Sequence, residues 1–162
     1  MCNNQFLTPH FKLSEMLASR KAKEHGIANI PTEEAVANLR RLCENTLEPL
    51  RESLEVPVHI TSGFRTRALN DLLAHSSDRS QHMAGQAADF YVGKGTREEL
   101  IKAFREILLN PKVDFDQLIL YPGFIHVSYV SKEKNRHGIL KAQGNGKLGY
   151  GRLTLQNALI IS

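Results

Sequence analysis

The sequence contains no tryptophan, and its few aromatic residues do not interleave with basic ones. A nucleic-acid face needs cations and stacking rings together, so no nucleic-acid partner is expected. Cysteine is nearly as scarce. Cys2 and Cys43 stand far apart and outside any CxxC pair, which excludes a disulfide framework and a cysteine metal site. Cys43 falls in a helical stretch and reads as a small buried hydrophobe. No window approaches the ~20 apolar residues of a membrane span. The opening residues Met1 to Pro9 lack a basic region followed by an apolar run, so synthesis in the cytoplasm without a signal peptide is expected. Neither charge sign dominates: 21 Lys and Arg against 17 Asp and Glu leave +4. The cations are scattered, which suits solubility and mild attraction to a polyanion such as an anionic cell wall.

The 162 residues suit a single domain, expected to act as a monomer. Its core spans about 9–130, and a polar, Gly-rich extension over 131–162 is expected to wander over the surface. Leu13 to Leu17 reads as a short helix capped by Ser14. Thr32 caps a longer helix with apolar positions Val36, Leu39, Leu42, Cys43, Leu47 and Leu50, in which Pro49 predicts a kink. Val56 to Thr61 and Ala87 to Val92 read as strands. Thr66 to Ala74 reads as a short helix, and His75 to Gln81 as a polar loop. Thr96 caps a helix over about 97–109. Gln117 to Tyr121 and Phe124 to Val130 read as a hairpin turned at Pro122-Gly123. Helices first, then strands mixed with helices, predict an α+β domain with antiparallel pairing.

Three residues sit awkwardly in this pattern. Asp89 lies in a strand between Ala88 and Phe90, and His126 lies in an apolar strand. A buried, unpaired carboxylate costs several kcal/mol, on the order of other unpaired buried charges. His82 leaves a polar loop that Gly85 allows to bend. Singly, each fits a hydrogen-bonded core residue or a salt-bridge partner. Together they also fit a cation held by two imidazoles and a carboxylate, the donor set of a three-ligand zinc site with one open position. Arg65 follows a strand and precedes a helix, where it is either a surface residue or a fork for a carboxylate or polarised carbonyl.

The segments Ser62-Gly63-Phe64-Arg65-Thr66, Leu69-Asn70, Ser80 to Phe90 and His126-Val127-Ser128 resemble the zinc D-Ala-D-Ala carboxypeptidase family, peptidase family M15. They are most similar to its small phage- and prophage-type branch. The resemblance runs over about residues 9–130, and the block around His82 and Asp89 is its most specific part. It implies a Hedgehog/DD-peptidase α+β fold: an antiparallel sheet with helices packed on it. It implies one zinc ion on His82, Asp89 and His126, with Arg65 and Ser80 toward a peptidoglycan peptide substrate. It further implies peptide-bond hydrolysis by a D,D-carboxypeptidase or endopeptidase of endolysin-like type, acting at the cell wall after release. The same fold also serves as a non-hydrolytic zinc-containing module that binds wall or protein partners.

Metal-assisted hydrolysis needs a general base, and here the chain departs from the family. Members place an acid shortly before the last zinc-binding His, a position that is Gly123 in this chain. Small members carry Glu at the end of the preceding strand, where this chain has Tyr121. A two-residue turn at Pro122-Gly123 sets Ile119 opposite His126, so Gln117, Ile119 and Tyr121 share the face of His126. Asp116 then points away. Tyr121 is expected near the metal, donating to substrate, or else packing beside the turn. Asp114, Asp116, His59 and His137 are the other candidates for the base.

Overall fold

The computed structural model describes residues 4–73, 76–143 and 150–162. Cys2, Ala74, His75 and the glycines at 144, 146 and 149 lie outside the described residues. A short ribbon of β1 (Phe6–Thr8) and β2 (Phe11–Lys12) leads into α1 (Leu13–Leu17). The expected cap at Ser14 shifts by two residues. Lys12 takes the N-cap, and its backbone N–H donates to Glu15 at 2.8 Å, so Ser14 lies inside the first turn. A second short helix, α2 (Arg20–Glu24), is capped by Ser19.

Thr32 caps α3 (Glu33–Leu42) as expected, its hydroxyl accepting the Ala35 N–H. The helix runs through a π turn (Cys43–Leu47) into α4 (Glu48–Leu54). Pro49 explains the irregularity. It has no N–H for the Asn45 carbonyl, which instead accepts from Asp114 N–H at 2.9 Å. Thr46 Oγ1 donates to the Asp114 carbonyl at 2.6 Å, so the kink fastens this helix to the chain entering the sheet's hairpin.

The main sheet has six strands in the order β3-β4-β6-β5-β7-β8. They are β3 (Val58–Ser62), β4 (Ala87–Val92), β5 (Gln117–Leu120), β6 (Ile125–Ser128), β7 (Gly138–Ala142) and β8 (Tyr150–Arg152). Between them run α5 (Arg67–Leu72) and α6 (Arg97–Leu109), and α7 (Leu155–Leu159) closes the chain. The Thr96 cap and its Glu99 partner stand as the sequence indicates. The fold is α+β.

Two expectations change together. The sheet is not wholly antiparallel, because β7 joins β5 in parallel, and the described residues of the extension do not wander. It adds two strands and a helix. Its anchor is Asp116, whose carbonyl accepts Gly138 N–H at 2.9 Å and whose carboxylate accepts Arg136 N–H at 2.8 Å. The hairpin register is as read from the turn: Ile119 faces His126. One face of β4 buries Ala88, Phe90 and Val92 in the core with Leu39, Leu50, Phe104 and Ile107 from the helices. The alternate face is left for the site.

Candidate functional site

Asp89 on β4 and His126 on β6 are direct partners in the antiparallel ladder, on the face away from the helices. The third member arrives from a 3₁₀ turn (Gln81–Ala84) rather than a loop. Ser80 caps that turn, its hydroxyl accepting His82 N–H at 3.3 Å. Gly85 ends it at φ 71°, where a Cβ would meet the Ala35 carbonyl oxygen at 2.4 Å, so both conformation and space require glycine.

A bulge fixes the other side of the site. The β3–β4 register slips after Ile60, setting Ser62 opposite Asp89. Gly63 then passes so close to α1 that a Cβ would lie 2.4 Å from the Met16 carbonyl oxygen. The Gly63 carbonyl receives His82 Nδ1 at 2.7 Å. A carbonyl only accepts, so Nδ1 carries the proton and a neutral His82 presents the Nε2 lone pair.

That lone pair faces Asp89 Oδ1 at 3.4 Å, while His126 Nδ1 lies 2.8 Å from the same oxygen. Two acceptors face each other unless a cation or a second proton lies between them. Burial pushes the His82 pKa down against the opposing pull of Asp89, so the second proton is disfavoured. Burial alone would raise the Asp89 carboxyl, but the hydrogen bond from His126 holds it well below the usual carboxylate range. One ligand-capable atom from each of the three residues lies within 4.8 Å of the others. Two imidazoles and a carboxylate, one imidazole already oriented through its far nitrogen, suit a divalent ion.

Arg65 borders this group. Its Nη2 lies 3.5 Å from Asp89 Oδ2, Nε donates to Ser62 Oγ at 3.2 Å and Nη1 donates to Asn70 Oδ1 at 3.3 Å. Asn70 is fully buried and anchored by its own amide to the Ser77 carbonyl. Burial lowers the Arg65 pKa, and the adjacent Asp89 and the charge of Tyr121 oppose the shift.

These residues open onto a cleft of about 720 Å³. Gln117, Ile119 and Tyr121 line it on the face of His126, as the register requires, and Ser80 lines it as well. The Tyr121 ring stacks on Phe124 with centroids 4.3 Å apart. The alternative candidates for a base do not reach the cleft. His59 stacks on Tyr91, His137 bonds Asp114, and Asp116 is buried against Arg136. Among the described residues, Asp89 is the one carboxylate lining the cleft.

A family model described as Peptidase M15 matches residues 9–128. The chain belongs to this peptidase family. No curated protein matches it. The M15 match ends at Ser128 and so leaves out Arg136, which also lines the cleft. Arg136 gave no signal in the sequence, because it lies in the stretch read as a wandering tail. The Gly63 carbonyl was equally hidden, since a backbone oxygen's role depends on the bulge beside it.

Proposed function

We propose that this M15 peptidase is a zinc enzyme that hydrolyses peptide bonds of peptidoglycan, as a carboxypeptidase or endopeptidase of the small phage or prophage type. The protein would act as one zinc-peptidase domain at the cell wall. The observation that carries it is the convergence of His82, Asp89 and His126 at the floor of an open cleft, within a family of peptidases. Those three side chains would hold the ion. Zinc bound by such a set supplies Lewis acidity toward a peptide carbonyl and toward water.

The chain's own residues would do the rest. Arg65, tied at Nε and Nη1, holds its guanidinium beside Asp89 and would steady the oxyanion that develops on the attacked carbonyl. In the net reaction water oxygen bonds the carbonyl carbon, the C–N bond breaks and a proton passes to the amine nitrogen. Tyr121 lines the cleft where small relatives carry an acid, and its hydroxyl would donate to substrate. Ser80 would contribute through its backbone or through the cleft wall, since its hydroxyl caps the His82 turn.

The single-carboxylate lining favours one second reading, a zinc-bearing module that binds wall without cutting it. Purified protein with zinc, incubated with isolated peptidoglycan, separates the two. The enzyme releases new amines, loses release in His82→Ala and keeps it in Lys23→Gln at an exposed site. Wall binding without release at any enzyme level supports the module.

A further inference from the structure

Three guanidiniums, Arg65, Arg79 and Arg136, line a cleft whose one carboxylate among the described residues is Asp89. Arg136 stands apart from the other two. It belongs to the extension beyond the M15 match, and it borders both the main cleft and an adjoining hollow of about 300 Å³ that also contains Arg152 and His137.

Its setting is built. Asp116 is 1% exposed, yet its carboxylate meets Arg136 through Nε at 3.0 Å and Nη2 at 2.6 Å. Gln81 Nε2 donates to the same carboxylate at 2.9 Å, and Ser128 Oγ donates at 3.4 Å. The buried acid therefore clamps the guanidinium by one edge, next to the turn that carries His82. Arg136 itself is 65% exposed in its side chain. A guanidinium has five N–H donors in a fixed fork. Asp116 uses one on Nε and one on Nη2. The end-on pair, Nη1 with the second Nη2 hydrogen, has no partner among the described residues.

A planar, permanently charged fork with one free edge suits a carboxylate, which it can bind with two parallel hydrogen bonds. Since Asp116 fixes the other edge, little rotamer freedom remains to be lost on binding. We propose that Arg136 is a specificity-determining residue, reading a free carboxylate on the substrate peptide away from the scissile bond. The inference rests on the cleft being the peptide site proposed above. It names the substrate class as acidic stem peptides, in preference to the same peptides with that acid amidated.

The test is a binding measurement that does not depend on turnover. A synthetic stem peptide made non-hydrolysable at its peptide bonds, with free carboxyl groups, and its twins amidated at one carboxyl each, are titrated calorimetrically into zinc-loaded protein. Wild type is expected to bind the acidic peptide about tenfold tighter than one amidated twin, the order of a charge-assisted fork. Arg136→Gln is expected to bind both alike. Because that change leaves Asp116 buried without its cation, Arg136→Lys serves as the second variant. Its ammonium can answer Asp116 but has no second edge, so it should fold and still lose the preference. Wild type binding acid and amides equally, binding none of them, or Arg136→Lys keeping the full preference would each overturn the proposal. Amine release from whole peptidoglycan judges the peptidase reading separately, and loss of release there leaves the calorimetric result standing.

Discussion

Asp89 and His126 are cross-strand partners, with His126 Nδ1 2.8 Å from the Asp89 carboxylate. Two strands therefore fix the relative position of two donors before any ion arrives. His82 comes from a separate turn and is aligned by a backbone carbonyl rather than by a neighbouring strand. The three donors thus depend on three different local structures, and an ion bound by all of them ties those structures together.

This arrangement sets the expected response to metal. One zinc ion per chain should bind, and saturating zinc should raise the melting temperature by ~5–10 °C at a hundredfold excess over Kd. His82→Ala, Asp89→Asn and His126→Ala should each abolish the zinc-dependent rise, and a chelator should reverse it in wild type. Calorimetric zinc titration with scanning of each variant checks this. A rise retained in Asp89→Asn would remove that carboxylate from the proposed ligand set.

Gly63 links stability to the same site. A methyl there would overlap the Met16 carbonyl oxygen at 2.4 Å, a backbone atom that can move only with α1. Gly63→Ala should cost about 1–3 kcal/mol, as other overpacking changes do. Moving the carbonyl away from His82 Nδ1 should also weaken zinc binding by ~10–100-fold, the usual effect of losing an outer partner of a metal-binding imidazole. Denaturant melts of the metal-free protein and zinc titration separate the two effects.

The sequence carried the parts of this molecule that depend on local chemistry. Thr32 and Thr96 marked helix starts because a hydroxyl before a helix has one use. Pro122-Gly123 set the register that puts Ile119 opposite His126, and with it the face on which Gln117 and Tyr121 lie. What stayed hidden depends on contacts distant in sequence. The extension became two strands because Asp116 holds Arg136 and Gly138, and nothing in a Gly-rich polar stretch announces that partner. Ser14 looked like a cap, but the reach of Glu15 back to the Lys12 N–H moved the helix start. Asn70, present in the recognised motif, showed its use only as the anchor of Arg65.

Tyr121→Phe tests the phenol directly. The ring keeps its stack on Phe124, so the variant should fold and bind zinc as wild type does. Without the hydroxyl, peptide hydrolysis should fall by ~10²-fold in kcat if it donates to the developing charge, comparable to loss of another such donor. Unchanged hydrolysis would leave Tyr121 as packing beside the turn.

Strong acid should loosen the extension at Asp116. Burial alone would raise this carboxyl, but hydrogen bonds from the Arg136 side chain and backbone and from Gln81 hold it at about 2. The folded state therefore binds this proton less readily than the unfolded chain, where an ordinary Asp titrates near ~3.9. The stabilisation is fully present above about pH 4 and is lost as pH falls toward about 2. Because Arg136 is largely exposed, solvent screens the pair, and a contribution on the order of 1–2 kcal/mol is expected. Asp116→Asn keeps the shape and removes the charge. Its stability deficit against wild type should shrink as pH falls from 5 to 2, measured by denaturant melts at fixed ionic strength. A deficit that holds constant across that range would mean that packing, rather than the ion pair, is what Asp116 supplies.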